Sequence, residues 1–235
     1  EVIYEIKDGY AIFEGDMILG EVDEHGNLIQ GELEAQSIAA KDPNLRWPNA
    51  TVPYDIASGV NTTEVENAIA HWEENTVVRF VDYDETIHSN YINFVKGTDG
   101  GACSSAFGMI QGEQLIRTTP SGSCGFGTMV HEIGHALGLH HEQTRADRDS
   151  FITINWENIT DTNNRKFQFC RNAGGPNKGV EIDYCPSFYP SRGFDVGGYD
   201  YDSIMHYGAD DFSSNGKPTI TPKDPDVGCD ASEGK

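Results

Sequence analysis

Residues 131–141 read His131-Glu132-x-x-His135-x-x-Gly138-x-x-His141. On an α-helix, positions i and i+4 share a face, so His131 and His135 can present two imidazoles to one metal ion. Glu132, beside the first of them, can bring a carboxylate to a water at that ion without binding the ion itself, which is where a general base belongs. Gly138 can end the helix in the left-handed conformation. The resulting turn lets His141 return as a third nitrogen. Three neutral nitrogens and one open position describe a catalytic zinc site, not a structural one. At this composition a bare HExxH arises by chance in about two sequences per hundred, and the glycine and third histidine lower that to on the order of one in ten thousand. A helix of satisfied core histidines would carry the same letters only by that coincidence. His140 faces away from such a site and reads as a surface or packing residue.

The rest of the chain must supply a frame for that helix. With 235 residues it suits one large domain, or one domain and a short extra segment, and can bury a core without cross-links. No apolar run approaches the roughly 20 residues of a membrane span, so a soluble chain with no membrane partner is expected. A net charge of −22 disfavours nucleic acid, which needs a basic stripe; its simplest consequence is solubility. The five cysteines, Cys103, Cys124, Cys170, Cys185 and Cys229, form no CxxC pair, and disulfides in an exported protein fit them best. Sequons at Asn49, Asn61 and Asn158 agree with secretion. Residues 1–5 lack the pattern of a signal peptide, and the expectation is that a leader has been removed.

Residues 1–36 hold ten acidic residues against one basic residue, Lys7. Their short apolar clusters, Tyr10–Phe13 and Met17–Leu19, predict an extended segment with turns, too small for a core of its own. Residues 37–48 read as a connection. Beyond it, 52–56, 77–81 and 91–95 alternate as strands, and 112–117 reads as another, at an edge. A helix is predicted over 62–75, with Thr63 and Glu66 at capping-box spacing and Val65, Ile69 and Trp72 on one face. A second is predicted over about 128–138. Residues 171–200, rich in Gly, Pro and Asn, read as irregular loops.

With Glu142 included, the zinc motif resembles that of the astacin family of zinc metalloendopeptidases, in the metzincin clan. Ser203-Ile-Met205-His206-Tyr207 resembles that family's Met-turn, and Phe13-Glu-Gly15-Asp16 its pro-segment motif. The resemblance implies an α+β fold of two subdomains: an N-terminal twisted, mostly parallel sheet with two long helices, an irregular C-terminal subdomain, and the active-site cleft between them. It implies one zinc ion on His131, His135 and His141, with Glu132 as the base in peptide hydrolysis by a zinc-bound water. Met205 would lie beneath the ion. Tyr207 would ligate it or swing away to stabilise the oxyanion. Asp16 would hold the ion in a latent zymogen. Residues 1–36 would then be an inhibitory pro-segment and 37–235 the catalytic domain, with an activating protease cutting near Ser37–Ala40 and the freed amino group lying near Glu142.

The resemblance also implies a Cys103–Cys124 disulfide. The family's second pair has no match, since Val77 stands in one cysteine's place and the chain stops at Lys235 without the other. Cys170–Cys185 is then an additional local bridge, and Cys229 has no assigned partner. A secreted monomer acting on protein or peptide substrates is implied. An extended substrate is expected to add to the strand around Gln114–Arg117. Arg117, Arg145, Arg165, Arg171 and Arg192 are candidates to favour acidic substrate residues, but each reads first as a surface charge. Two other classes compete. A non-catalytic module would have lost ligands or base, and none is lost. A structural-zinc protein would need a fourth strong protein ligand.

Overall fold

The computed structural model describes residues 4–13, 15–27, 29, 43–98, 100–160, 166, 169–170 and 195–226. The acidic N-terminal stretch is an antiparallel meander of β1 (Glu5–Lys7), β2 (Tyr10–Phe13) and β3 (Met17–Glu21). Asp8 and Gly9, with φ of 54° and 79°, make the two-residue turn between β1 and β2. An Asp-Gly pair suits such a turn because both positions need positive φ. The meander has no core of its own. Ala11, Phe13, Met17 and Leu19 pack with Cys170, Phe107 and Trp156 from the rest of the chain.

Next come β4 (Thr51–Ile56), α1 (Thr62–Asn75), β5 (Arg79–Asp82), β6 (Tyr91–Lys96), β7 (Ser104–Ala106), β8 (Glu113–Thr118) and α2 (Phe126–Ala136). The sheet order is β1-β2-β3-β7-β8-β6-β4-β5. Strands β5, β4, β6 and β8 run parallel, β7 is antiparallel to β8, and β3 joins β7 in parallel. The strand read at an edge is therefore interior. β7 lies outside β8, and β3 occupies the outer side of β7. Ser104–Ala106 is three residues long and lacks the apolar alternation that would have revealed it.

Both helices contribute to one core with the sheet. Val52, Ile92, Phe94 and Ile116 from the strands meet Val65, Ala68 and Ile69 of α1 and Met129, Ile133 and Ala136 of α2. Helix α1 begins at the predicted residue but uses a different cap. Asn61 Oδ1 accepts the Glu64 N–H at 3.4 Å, while Thr63 lies inside the first turn. Asn61 precedes Thr63 and caps at least as well, so the Thr63–Glu66 box has no open donor to serve. Every residue of α2 from Met129 to Ala136 is buried, as befits a helix enclosed on all sides. The Cys103–Cys124 disulfide ties the approach to β7 to the start of α2, with Cα atoms 6.0 Å apart. Glu64 of α1 accepts the Cys124 N–H at 2.7 Å and holds the same corner.

Beyond Gly138 the chain makes short 3₁₀ turns and a small antiparallel pair, β9 (Ile152–Ile154) with β10 (Ile220–Pro222). Ile152, Ile159, Phe169 and Ile220 form a separate core there. The architecture is the expected α+β pair of subdomains with a cleft between them. Cys185 and Cys229 lie outside the described residues, and with them the Cys170–Cys185 bridge and any partner of Cys229. The boundary near residue 37 lies outside them too. Val77 is 80% exposed. No helix among the described residues is long and apolar enough to cross a membrane.

Replacing the α1 cap discriminates between the two capping schemes. Asn61→Ala is expected to cost about 1 kcal/mol in urea unfolding, and Thr63→Ala less than about 0.5 kcal/mol.

Candidate metal centre

One turn of α2 separates His131 from His135 and puts them on one face, and the end of the helix delivers His141. The Gly138 N–H bonds the His135 carbonyl at 2.8 Å and the Leu139 N–H bonds the Gly134 carbonyl at 2.9 Å. With Gly138 at φ 92°, this is the Schellman arrangement that reverses a chain within one turn. The tautomers of two imidazoles are fixed from behind. Nδ1 of His131 donates to the Ile204 carbonyl and Nδ1 of His135 to the Leu139 carbonyl, both at 2.7 Å. A carbonyl only accepts, so each Nε2 is left with a lone pair directed into the site.

Asp16 enters from the opposite side. Phe13 is buried in the meander cluster, Gly15 turns at φ 93°, and the Asp16 carbonyl accepts the Ser105 N–H at 2.9 Å. Its Oδ2 lies 3.2 Å from His141 Nε2 and 3.4 Å from His131 Nε2, and its Oδ1 lies 3.4 Å from His135 Nε2. The Nε2 atoms of His131 and His141 are 3.3 Å apart. The edge of a tetrahedron with zinc–ligand bonds of about 2.0–2.1 Å is about 3.3–3.4 Å long, so these four separations, shared between the two Asp16 oxygens, are close to what one zinc ion needs. Asp16 Oδ1 and His135 Nε2 are buried without a hydrogen-bond partner among the described residues. A cation at the centre would satisfy both. The four side chains can hold one metal ion, and three imidazoles with one carboxylate suit zinc.

The protonation states lean the same way. Burial pushes His131 down to about 4 and lowers His135, favouring the neutral form that ligates. Burial pushes the Asp16 carboxyl up, but His141, His135 and His131 outweigh it and hold the group well below its ordinary value. Glu132 is raised well above the usual carboxylate range by burial and then by the Asp16 carboxylate. Only 1% of Glu132 is exposed, and its Oε2 has no hydrogen-bond partner among the described residues. It is not one of the four converging side chains, and it borders the same cleft as Asp16 and Tyr207, a space of about 260 Å³.

The C-terminal subdomain closes the site. Met205 is buried, and its Sδ would sit 2.6 Å from a Cβ added at Gly134. Gly134 therefore makes room for the sulfur beneath the histidines. Its signal was legible as a glycine in mid-helix, where it costs about 1 kcal/mol relative to alanine unless packing requires it. The ring of Tyr207 lies 4.5 Å from that of His141 and packs against Phe169 and Phe212. Gln143, which the sequence did not single out, is fully buried and accepts the Tyr207 N–H at 3.1 Å. Glu142 accepts the Asp200 N–H at 3.0 Å and faces Arg145 at 3.4 Å; burial raises its carboxyl. His140 packs on Phe107 at 4.1 Å, as a packing residue should.

The family profile for Astacin, a peptidase family, matches residues 39–189 and 191–232. The chain belongs to the astacin family. Blastula protease 10 of Paracentrotus lividus is 37% identical over 224 residues, covering 91% of this chain and 34% of that protein. Astacin-like metalloprotease toxin 1 of Loxosceles intermedia is 30% identical over 225 residues, covering 94% and 73%. Among solved structures, high choriolytic enzyme 1, a hatching enzyme zinc-protease from Oryzias latipes, superimposes with a TM-score of 0.60 at 32% identity, covering 81% of this chain and 84% of that one. The chain spans about a third of the length of Blastula protease 10 and of the protein SpAN. Astacins are zinc metalloendopeptidases, and the donor set assembled here fits their ion.

Two of the five candidate arginines are not surface charges. Arg117 is 7% exposed and Arg145 2%. Arg145 is held by Asp147 at 2.9 Å and by the Val196 and Gly197 carbonyls, each at 3.1 Å. Arg165, Arg171 and Arg192 lie outside the described residues.

Gly134→Ala should drive a methyl group into the Met205 sulfur and cost about 1–3 kcal/mol in thermal unfolding. Zinc titration should show weaker binding. Adding Met205→Ala should recover part of the loss if the contact is its cause.

Proposed function

We propose that this chain is a secreted zinc-dependent endopeptidase of the astacin type, present here as a latent zymogen. The observation that carries this reading is the convergence of His131, His135, His141 and Asp16 on one point, with Glu132 buried beside them but outside that group. His131, His135 and His141 would hold the ion. Zinc so held supplies Lewis acidity for a peptide carbonyl and brings the pKa of a bound water towards about 7. Glu132 takes the proton from the attacking water and returns it to the leaving amine. Tyr207 turns its hydroxyl towards the oxyanion and donates a hydrogen bond to it. Met205 and Gly134 support the histidines from below, and Gly138 returns His141.

With the ion bound, Asp16 would take the place a water needs, so residues 1–36 would act as an inhibitory pro-segment and 37–235 as the catalytic domain. The family match beginning at residue 39 supports that division. Strand β3 also covers β7, the edge to which an extended substrate would add. Cleavage by an activating protease near Ser37–Ala40 would free both the metal and that edge. The new amino group would then lie near Glu142, whose half-buried carboxylate would gain a second cation beside Arg145. Protein or peptide substrates, secretion and a monomeric state complete the proposal, with the disulfide and sequons in support.

A structural zinc centre also presents four protein groups. Glu132, a buried carboxylate beside the four groups but not among them, favours the hydrolytic reading over it. After removal of the pro-segment, Glu132→Ala should lower hydrolysis of a denatured protein by at least about 10²-fold while zinc stays bound at one equivalent. Retained activity in that variant rejects the mechanism. The intact chain should be inactive and gain activity on cutting near residue 37. Asp16→Ala should release activity without a cut, and full activity of the uncut wild-type chain would remove Asp16 from its role.

A further inference from the structure

Arg117, near the end of β8, holds its guanidinium in a recess beside the metal cleft. Its side chain is 9% exposed and pairs with the Asp8 carboxylate, itself 7% exposed. Thr98 binds the same carboxylate twice. Its N–H donates to Asp8 Oδ2 at 2.7 Å and its hydroxyl donates to Oδ1. The Tyr10 ring covers the guanidinium at 4.7 Å. Beneath them Gly97 lies against the Thr118 carbonyl, where a Cβ would approach within 2.6 Å of the oxygen. The donors all come from the body of the chain, and the acceptor and its cover all come from residues 1–36. Fixed donors converging on one planar anion are what a carboxylate site requires.

The position of this recess relative to the metal follows from the sheet. The recess and the metal cleft share Lys7 and Ala102 as lining residues. Arg117 pairs with Ser104 of β7, and Ser105 pairs with Met17, the residue after Asp16. A peptide on the outer side of β7 therefore runs two strand spacings, about 10 Å, from β8. An arginine and an acidic side chain bridge that distance together.

We propose that Arg117 and Thr98 form a carboxylate-binding subsite of the substrate cleft, filled by Asp8 in the intact chain and by an acidic side chain of a bound peptide once residues 1–36 are removed. The inference rests on the pro-segment reading above. It corrects the sequence reading of Arg117 as a surface charge. A buried guanidinium that loses its partner is costly, and an incoming carboxylate restores the pair.

The test uses the full chain cut near residue 37. Peptide pairs carrying Asp or Asn, and Glu or Gln, at each position across the cleft are compared by kcat/KM. At one position the acid should be favoured by at least about 10-fold, and Arg117→Gln should bring that ratio close to one. A synthetic peptide of residues 4–27 should bind the cut chain at least about 10-fold more tightly than its Asp8→Asn form, a difference that Arg117→Gln also removes. The peptide pairs and this peptide separate a substrate carboxylate from the detached segment as occupant. Thr98→Val should lower both ratios about three-fold or more and serves if Arg117→Gln does not fold. Ratios unchanged in both variants would confine Arg117 to anchoring the meander and overturn the proposal. An uncut chain with full activity would refute latency alone, because both ratios are still read on the cut chain. A cut chain inactive on every peptide would refute the enzyme reading, and the binding of peptide 4–27 would still decide the subsite.

Discussion

Three imidazole nitrogens and a carboxylate converge in the interior with ligand atoms within 4.8 Å of one another. Without a cation, three lone pairs and a negative charge would face each other in a medium that screens poorly. The sequence accepts that arrangement because everything around it is built to hold it. Backbone carbonyls at Ile204 and Leu139 take the outward-facing protons of two rings. A neutral imidazole is costly to charge when buried, so burial itself keeps the rings in the form that binds metal. The energy lost in assembling the site is returned only when an ion binds.

The backbone around the helix serves the same demand. A helix carries its first two histidines forward along its axis, and the third must come back. Only an abrupt reversal does this, and Gly138 supplies it without strain. Gly134 serves a different purpose, since it is the position at which another segment approaches closely. A Cβ there would displace Met205, which carries the turn that places Tyr207 beside His141. The two glycines therefore link the subdomains across the cleft, one by redirecting the chain and one by leaving space.

Features with local causes were legible in the sequence. The spacing of His131, Glu132 and His135 is fixed by helical geometry, and α1 spans the predicted 62–75 around its apolar face. What escaped depended on partners distant in the chain. β7 is too short to show a pattern, and its place outside β8 follows only from how β8 pairs on its two sides. The cap of α1 went to Asn61 because two good capping residues stood within three positions, and the first to reach the helix end took the role. Asp8-Gly9 carried a strong hairpin signal that would have organised the N-terminal segment. Arg117 read as surface because nothing in the local sequence reveals a partner 109 positions earlier, at Asp8.

In the proposed latent state, Asp16 and Asp8 act as one device. Each is an anion delivered by a hairpin or turn of a single meander, and each meets a prepared set of cations or ligating groups. Because the meander belongs to the same chain, its carboxylates compete at an effective concentration that a short linker raises to about the millimolar range. Two weak anchors on a common rigid piece then exclude a substrate that either alone would not. Cutting the connection ends that advantage for both at once, since the segment must thereafter bind as a separate molecule. The same geometry gives the opened cleft its character. It would expose a metal, a free strand edge and an unpaired guanidinium together, and a peptide with an acidic residue in register could satisfy all three.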